Sequence, residues 1–338
     1  MARRWLLLWL LVAAIAGAGA SAAALHRAEP WLDGAGYPLP AAADPPLPYL
    51  IETSAEAVAL GDLWGVRVMP YYARQLRAVQ AQIAGLPGVG TIPFYHLDDG
   101  FVALIPVSYS AKVGDHYQLE LVVTDHRGRQ HPESLLLVVA DKRFPEQRLW
   151  MTAQQTGLMT ADRMAEDRAK INSARANPSP APLWSGPLLI PLEGRLTSEF
   201  GLIRYVNNVP YGRHSGLDIA APQGSPIVAA AAGRVTFTGS LWASGETVIL
   251  DHGLGMFTAY NHMSRILAEE GQMVAAGEVV GEVGSTGFST GPHLHFTLWV
   301  GSVPTNPWPW FEEDPITLLL GTPAGPEDAG SDGDDAGG

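Results

Sequence analysis

Short runs of alternating or continuous apolar residues, broken every few positions by Gly, Pro, Asp or Asn, dominate this chain and predict strands. Between Pro48 and Lys142 they include Trp64-Gly65-Val66-Arg67-Val68 and Phe101-Val102-Ala103-Leu104-Ile105. Two β-branched runs, Tyr117 to Thr124 and Ser134 to Val139, flank the turn sequence Asp125-His126-Arg127-Gly128 and read as a hairpin. Together they predict a small β-sandwich-like module over residues 48–145. From Leu158 to Ala176 there is neither Gly nor Pro, and Thr160 stands where a helix cap belongs. Asn177-Pro178-Ser179-Pro180-Ala181-Pro182 then forces extended backbone. Residues 146–183 therefore read as a short helix and a Pro-rich linker. From Trp184, runs such as Thr247-Val248-Ile249-Leu250 and Met256-Phe257-Thr258-Ala259-Tyr260, punctuated by Gly, predict a second all-β domain over residues 184–312. The expected fold class is mainly β. Residues 313–338, Gly-, Asp- and Glu-rich, are expected to form a disordered acidic tail.

Composition adds exclusions. Apolar residues make up 47% and charged residues 16%, which suits packed cores. A net charge of -13, with no basic cluster past residue 4, argues against a nucleic-acid partner. Cysteine is absent, so thiolate metal sites, disulfides and cysteine nucleophiles are excluded. At the N-terminus Arg3 and Arg4 precede an uncharged apolar run from Trp5 to about Ala18 and then small residues. Residues 1–24 read as a signal peptide or a membrane anchor, followed by an Ala/Pro-rich linker over 25–47. Either reading places the remainder outside the cytoplasm, in the periplasm or cell envelope.

Five of the ten histidines fall between positions 214 and 295. In Gly291-Pro292-His293-Leu294-His295-Phe296-Thr297-Leu298 two His are separated by one residue, so on a strand both imidazoles share a face while Leu294, Phe296 and Leu298 share the other. His214 and Asp218 lie four apart in His214-Ser215-Gly216-Leu217-Asp218, and they can converge on one ion if Gly216 lets the chain bend. A carboxylate set between Leu217 and Ile219 needs a partner or a metal. Two imidazoles and a carboxylate suit zinc, whose catalytic sites take three protein ligands and keep one place open. Tyr260-Asn261-His262 follows a predicted strand and supplies a further histidine. His96, His116, His126 and His131 sit beside turn residues and read as surface or turn histidines, and Trp299, Trp308 and Trp310 as packing residues.

In this order these pieces resemble the lysostaphin/LytM-type zinc metallopeptidases over about residues 194–308. Thr197-Ser198-Glu199-Phe200-Gly201, Ala220-Ala221-Pro222-Gln223-Gly224, Ile249-Leu250-Asp251-His252-Gly253, Val283-Gly284-Ser285-Thr286-Gly287 and Ser289-Thr290-Gly291-Pro292 belong to the same pattern. The resemblance implies a C-terminal antiparallel β domain with one Zn2+ per chain. It implies His214, Asp218 and His295 as metal ligands, and His262 and His293 as catalytic histidines. The implied activity is hydrolysis of peptidoglycan cross-links or stem peptides in cell-wall remodelling, with peptidoglycan as the partner. Arg204, Tyr205 and Tyr211 lie on the loop where the family often carries a further Tyr or Arg, and none is assigned. His252, in a triplet that looks like a turn, is expected to be structural. The alternative is a non-catalytic or latent relative that binds the wall and activates other hydrolases, against which the intact ligand set stands. Residues 184–312 alone are expected to be active.

Overall fold

The structure, a computed structural model, describes residues 49–71 and 76–320. The expected signal peptide or anchor and the linker over 25–47 lie outside these residues, as does the tail from residue 321. Among the described residues, no helix is long and apolar enough to cross a membrane.

Residues 49–140 form two sheets. One has four strands in the order Tyr49–Thr53, Leu63–Pro70, Gly100–Pro106, Tyr95–Leu97. The other has five, in the order Ala57–Ala59, Gln130–Ala140, His116–Asp125, Leu76–Ile83, Thr91–Ile92. The hairpin forms as the sequence pattern predicts, with Tyr117 opposite Leu137. Its turn is locked by Asp125, whose carboxylate accepts from the Arg127 and Arg129 amides, each at 2.9 Å. Alternate residues Leu119, Leu121 and Val123 point inward with Trp64, Val66 and Val68 to form one core.

The second β region is built on an eight-stranded antiparallel sheet. Its order is Arg195–Ser198, Leu217–Ala220, His293–Val300, Met256–Met263, Gly245–Gly253, Gly233–Leu241, Met273–Val274, with Val303–Thr305 paired to His293–Val300. Every residue of Met256–Met263 is buried, because both faces of this central strand are covered. On one face Val248, Leu250, Tyr260, Leu294, Phe296 and Leu298 join the main core. On the other, Ile249, Phe257 and Ala259 pack against Ile171 and Ala174 of the helix Ala161–Ala174, which Thr160 caps. A smaller sheet, Pro226–Val228, Val279–Glu282 and Arg265–Ile266, completes this half.

The connecting segment is more than a spacer. Glu146–Leu149 is a strand, paired in parallel with Ile203–Val206, which in turn pairs with Val209–Arg213. Its sequence, Glu-Gln-Arg-Leu, has no β-branched residue, so its strand conformation comes from the neighbour and not from its own propensity. The Pro-rich run is tied down by the buried Asp251, whose carboxylate accepts from the Ser179 amide at 2.9 Å and hydroxyl at 2.6 Å. The sandwich also contributes Leu63, Val102 and Leu104 to the core of the C-terminal half. The segment expected as a tail starts with order: Pro315–Leu320 is a helix, and the Asp314 carboxylate accepts from the Ile316 and Thr317 amides at 3.0 and 3.1 Å.

These contacts revise the expectation that residues 184–312 work alone. That fragment would expose the apolar surface covered by Leu104, Ile171 and Ala174. It is expected to melt about 10 °C or more below a chain spanning residues 48–320 in a thermal scan. Equal melting temperatures would contradict this.

His252 lies at the end of a strand and not in a turn, and it is fully buried. Its Nδ1–H donates to the Ala232 carbonyl at 2.8 Å, and Nε2 meets the Thr258 hydroxyl at 2.7 Å. Burial pushes its pKa down to about 4. The unfolded chain, with a His pKa of ~6.5, binds a proton that the native state refuses, so stability present above that pH is lost as pH falls toward 4. His252→Gln is expected to remove on the order of 2–3 kcal/mol of this acid sensitivity between pH 7 and 4, read from urea midpoints at each pH. Parallel pH profiles for the variant and the wild type would refute the assignment.

Candidate active site

The site assembles where strand register brings distant residues together. Leu217–Ala220 and His293–Val300 run antiparallel with Asp218 directly opposite His295 and Ala220 opposite His293. Asn261, one residue before His262, faces His295 from the other side. Period-2 geometry puts Leu294, Phe296 and Leu298 in the core and turns His293 and His295 outward together. His214 arrives from the preceding loop, held by the amide of Gly201 donating to the His214 carbonyl and the His214 amide donating to the Leu202 carbonyl, at 2.8 and 2.9 Å. Gly216 acts by close approach and not by a bend of unusual φ: a Cβ there would run into the Phe296 carbonyl oxygen.

His214 Nε2 lies 2.9 Å from Asp218 Oδ1, His295 Nδ1 lies 2.7 Å from the same oxygen, and the two nitrogens are 3.0 Å apart. These residues are the cluster of possible metal ligands among the described residues. Their remaining ring atoms are committed elsewhere. His214 Nδ1–H donates to the Glu199 carbonyl at 2.6 Å, which leaves the Nε2 lone pair facing Asp218. His295 Nε2–H donates to the Thr297 hydroxyl at 3.0 Å, which leaves Nδ1 free in the same way. Burial alone would raise the Asp218 pKa. The His214 and His295 rings, when protonated on the nitrogens that face it in the absence of an ion, outweigh burial through hydrogen bonds and charge and hold the carboxyl well below the usual range. Burial lowers the pKa of His295, so its ring is neutral and its lone pair available at neutral pH. Three lone-pair donors of nitrogen and oxygen type converging on one point repel one another unless a cation lies among them, and this donor set fits zinc.

His262 and His293 stand beside this cluster with ring centroids 4.7 Å apart. His262 Nδ1–H donates to the Thr286 carbonyl at 2.7 Å and His293 Nδ1–H to the Gly291 carbonyl at 2.8 Å. Each therefore keeps Nε2 as an acceptor, and His293 Nε2 is 3.7 Å from Asp218 Oδ1. Burial, then the neighbouring His293 and His295, push the His262 pKa down to about 3. The backbone at His262 is left-handed, with φ 63°, a conformation that costs a side-chain-bearing residue roughly 1–2 kcal/mol and persists only where the surroundings impose it.

The second oxygen of Asp218 is occupied by Arg204, whose Nη2 donates at 2.6 Å. Arg204 Nε donates to Gln147 Oε1 at 2.9 Å, and Gln147 Nε2 donates to the Ser198 hydroxyl at 2.7 Å. Gln147 was not legible as a site residue, since it reaches the site only through the pairing of its strand. A groove of about 530 Å³ runs over the cluster, with Tyr211 and Phe288 stacked at its rim, ring centroids 5.5 Å apart. Tyr205 points away, under the Arg148 guanidinium at 4.6 Å. Phe144, just before the connecting segment, packs edge-on against Phe200, next to the Glu199 carbonyl that orients His214. Of the tryptophans, Trp310 is buried in the core, Trp299 packs on the outer sheet face, and Trp308 donates to Glu199 Oε2 at 2.6 Å.

Residues 212–307 match peptidase family M23. The DD-carboxypeptidase/endopeptidase Mpg of Neisseria meningitidis serogroup B is 43% identical over 129 residues, 38% of this chain and 28% of that protein. The peptidoglycan DD-endopeptidase ShyA of Vibrio cholerae is 41% identical over 93 residues, 28% of this chain and 22% of that protein. The chain thus spans about a quarter of the length of these relatives. A crystal structure from Pseudomonas aeruginosa, described as an M23 peptidase, superposes over 75% of this chain and 94% of its own with TM-score 0.53 and 26% identity.

Proposed function

We propose that this chain, whose residues 212–307 match peptidase family M23, is an extracytoplasmic zinc endopeptidase that hydrolyses peptide bonds in peptidoglycan cross-links or stem peptides. The observation that carries the reading is the convergence of His214 Nε2, Asp218 Oδ1 and His295 Nδ1 beneath a groove that Asp218, His295 and two more imidazoles line. The peptidoglycan substrate is inferred from the matched relatives, one of which is named a peptidoglycan DD-endopeptidase.

His214, Asp218 and His295 would hold one ion. Zinc bound there supplies Lewis acidity, polarising the scissile carbonyl and bringing the pKa of a water to about 7. The protein's own groups do the remaining work. His262 and His293 each keep an acceptor Nε2 on the groove side, so either can take the attacking water's proton and return it to the leaving amine. The carbonyls of Thr286 and Gly291 fix these rings and stabilise them once they are protonated. Arg204 satisfies Oδ2 of Asp218 and leaves Oδ1 for the ion. The retained ligand set disfavours the non-catalytic alternative, because a wall-binding activator has no need of three converging donors.

The test is mass spectrometry of products from defined cross-linked and uncross-linked stem peptides. Zinc-dependent cleavage, stopped by a chelator and restored by added zinc, is the expected outcome. No hydrolysis by the zinc-loaded chain, or hydrolysis that chelation leaves untouched, would overturn the reading.

A further inference from the structure

Asp167 lies in the middle of the helix Ala161–Ala174, outside the segment that matches the peptidase family, yet its side chain is directed at the active-site loops. It is 5% exposed in a helix otherwise free of buried residues. A carboxylate buried this far needs donors. Its two oxygens accept from two consecutive backbone amides, Trp242 at 2.8 Å and Ala243 at 2.9 Å. The same helix grips the Trp242 side chain twice. The Arg163 guanidinium lies 4.1 Å above its ring, and Glu166 Oε2 accepts from Nε1 at 3.0 Å.

The loop fixed in this way sets the backbone of His262. The carbonyl of Ser244 accepts from the His262 amide at 2.8 Å. The carbonyl of Ala243 accepts from the Phe288 amide at 2.8 Å, joining this loop to the one that carries Thr286 and hence the His262 Nδ1 contact. Gly287 is packed against this joint, where a Cβ would collide with the amide nitrogen of Gly245. His262 therefore sits between two loops that are bonded to each other, in the left-handed conformation that free backbone avoids. Ala243 also lines the groove.

We propose that Asp167 is a positioning residue for His262: it holds loop 242–244, and through the Ser244 carbonyl it keeps the imidazole facing the groove. The proposal deepens the peptidase reading and rests on it for the catalytic consequence, though not for the structural one. His214 arrives on a loop and Asp218 and His295 on other strands, and Glu199, Arg204 and Thr297 orient them, so Asp167 does not act through these three candidate ligands.

The experiment compares the full chain with Asp167→Asn, which keeps the shape and one acceptor oxygen, and with Asp167→Ala. Amide hydrogen exchange at Trp242, Ala243 and His262 is expected to accelerate about tenfold in Asn and more in Ala. Zinc affinity, read by competition with a chromophoric chelator, is expected to stay within about twofold. On a stem-peptide substrate kcat is expected to fall roughly 10- to 100-fold with KM within about threefold, the pattern of a misplaced catalytic group. Unchanged exchange at His262, or zinc affinity falling in step with activity, would overturn the proposal. Exchange at the His262 amide is read without substrate. It therefore decides the part played by Asp167 even if the wild-type chain hydrolyses nothing, an outcome that would count against the peptidase reading alone.

Discussion

Replacing His295 with Ala is expected to abolish zinc binding at micromolar ion and to lower kcat/KM by roughly 10³-fold or more, because the Lewis acid contributes several kcal/mol and each ~1.4 kcal/mol is tenfold. The geometry explains the size of the effect. His295 Nδ1 is one corner of a triangle whose sides are 2.7 to 3.0 Å, with His214 Nε2 and Asp218 Oδ1 at the other two. Removing it leaves the buried Asp218 carboxylate without one of its two imidazole neighbours, so some loss of folding stability accompanies the loss of metal. Isothermal titration with zinc and a rate measurement at saturating zinc check both parts. A variant that binds zinc as tightly as the wild type would remove His295 from the ligand set.

His293→Ala and His262→Ala are expected to behave in the opposite way. Each should keep zinc affinity within about tenfold, since neither ring belongs to the donor triangle. Each should lose roughly 10²- to 10⁴-fold in kcat, the usual range for a general acid or base. His293 Nε2 is 3.7 Å from Asp218 Oδ1, longer than the 2.7 Å contact of His295 Nδ1, which is the ground for proposing different roles for the two. Parallel zinc titrations of the three variants make the distinction. Release of the metal by His293→Ala would show that the two histidines of the pair had been exchanged in the assignment.

How much of the site is legible in the sequence depends on which interactions make it. His293 and His295 share a face by strand periodicity alone, and the apolar residues between and after them confirm which face is the core. That much is local and therefore legible. The pairing of Asp218 with His295 spans 77 positions, and strand register over that distance is set by tertiary packing, not by any nearby pattern. The resemblance supplied it where physical reasoning from the residues could not. The strand Glu146–Leu149 was hidden because its own residues do not favour a strand, so Gln147 could not be placed next to Arg204. Asp167 was hidden for a related reason. It lies among Glu166, Arg168 and Lys170, a stretch that reads as a solvated helix face, and only the docking of the helix on the Trp242 loop buries it. His262 was visible as a histidine after a strand, but its left-handed backbone is imposed by two loops from elsewhere in the chain. The sandwich and the hairpin were legible in outline from alternation and turn residues, whereas their contribution of Leu63, Val102 and Leu104 to the other core was not.

The same physical distinction explains why the connecting segment matters. Sequence punctuation marks Asn177 to Pro182 as a spacer, yet Asp251 and Ser179 bind it to the sheet, and Phe144 and Asp167, which precede it, pack on the loop before His214 and hold the loop bonded to His262. A Pro-rich run limits backbone conformation, but it does not by itself separate two bodies.

The most direct measurement is anomalous diffraction at the zinc edge from crystals of the chain grown with zinc. One peak is predicted, about 2.0–2.2 Å from each of His214 Nε2, Asp218 Oδ1 and His295 Nδ1. A peak elsewhere, or zinc-soaked crystals with no peak among those three atoms, would contradict the account.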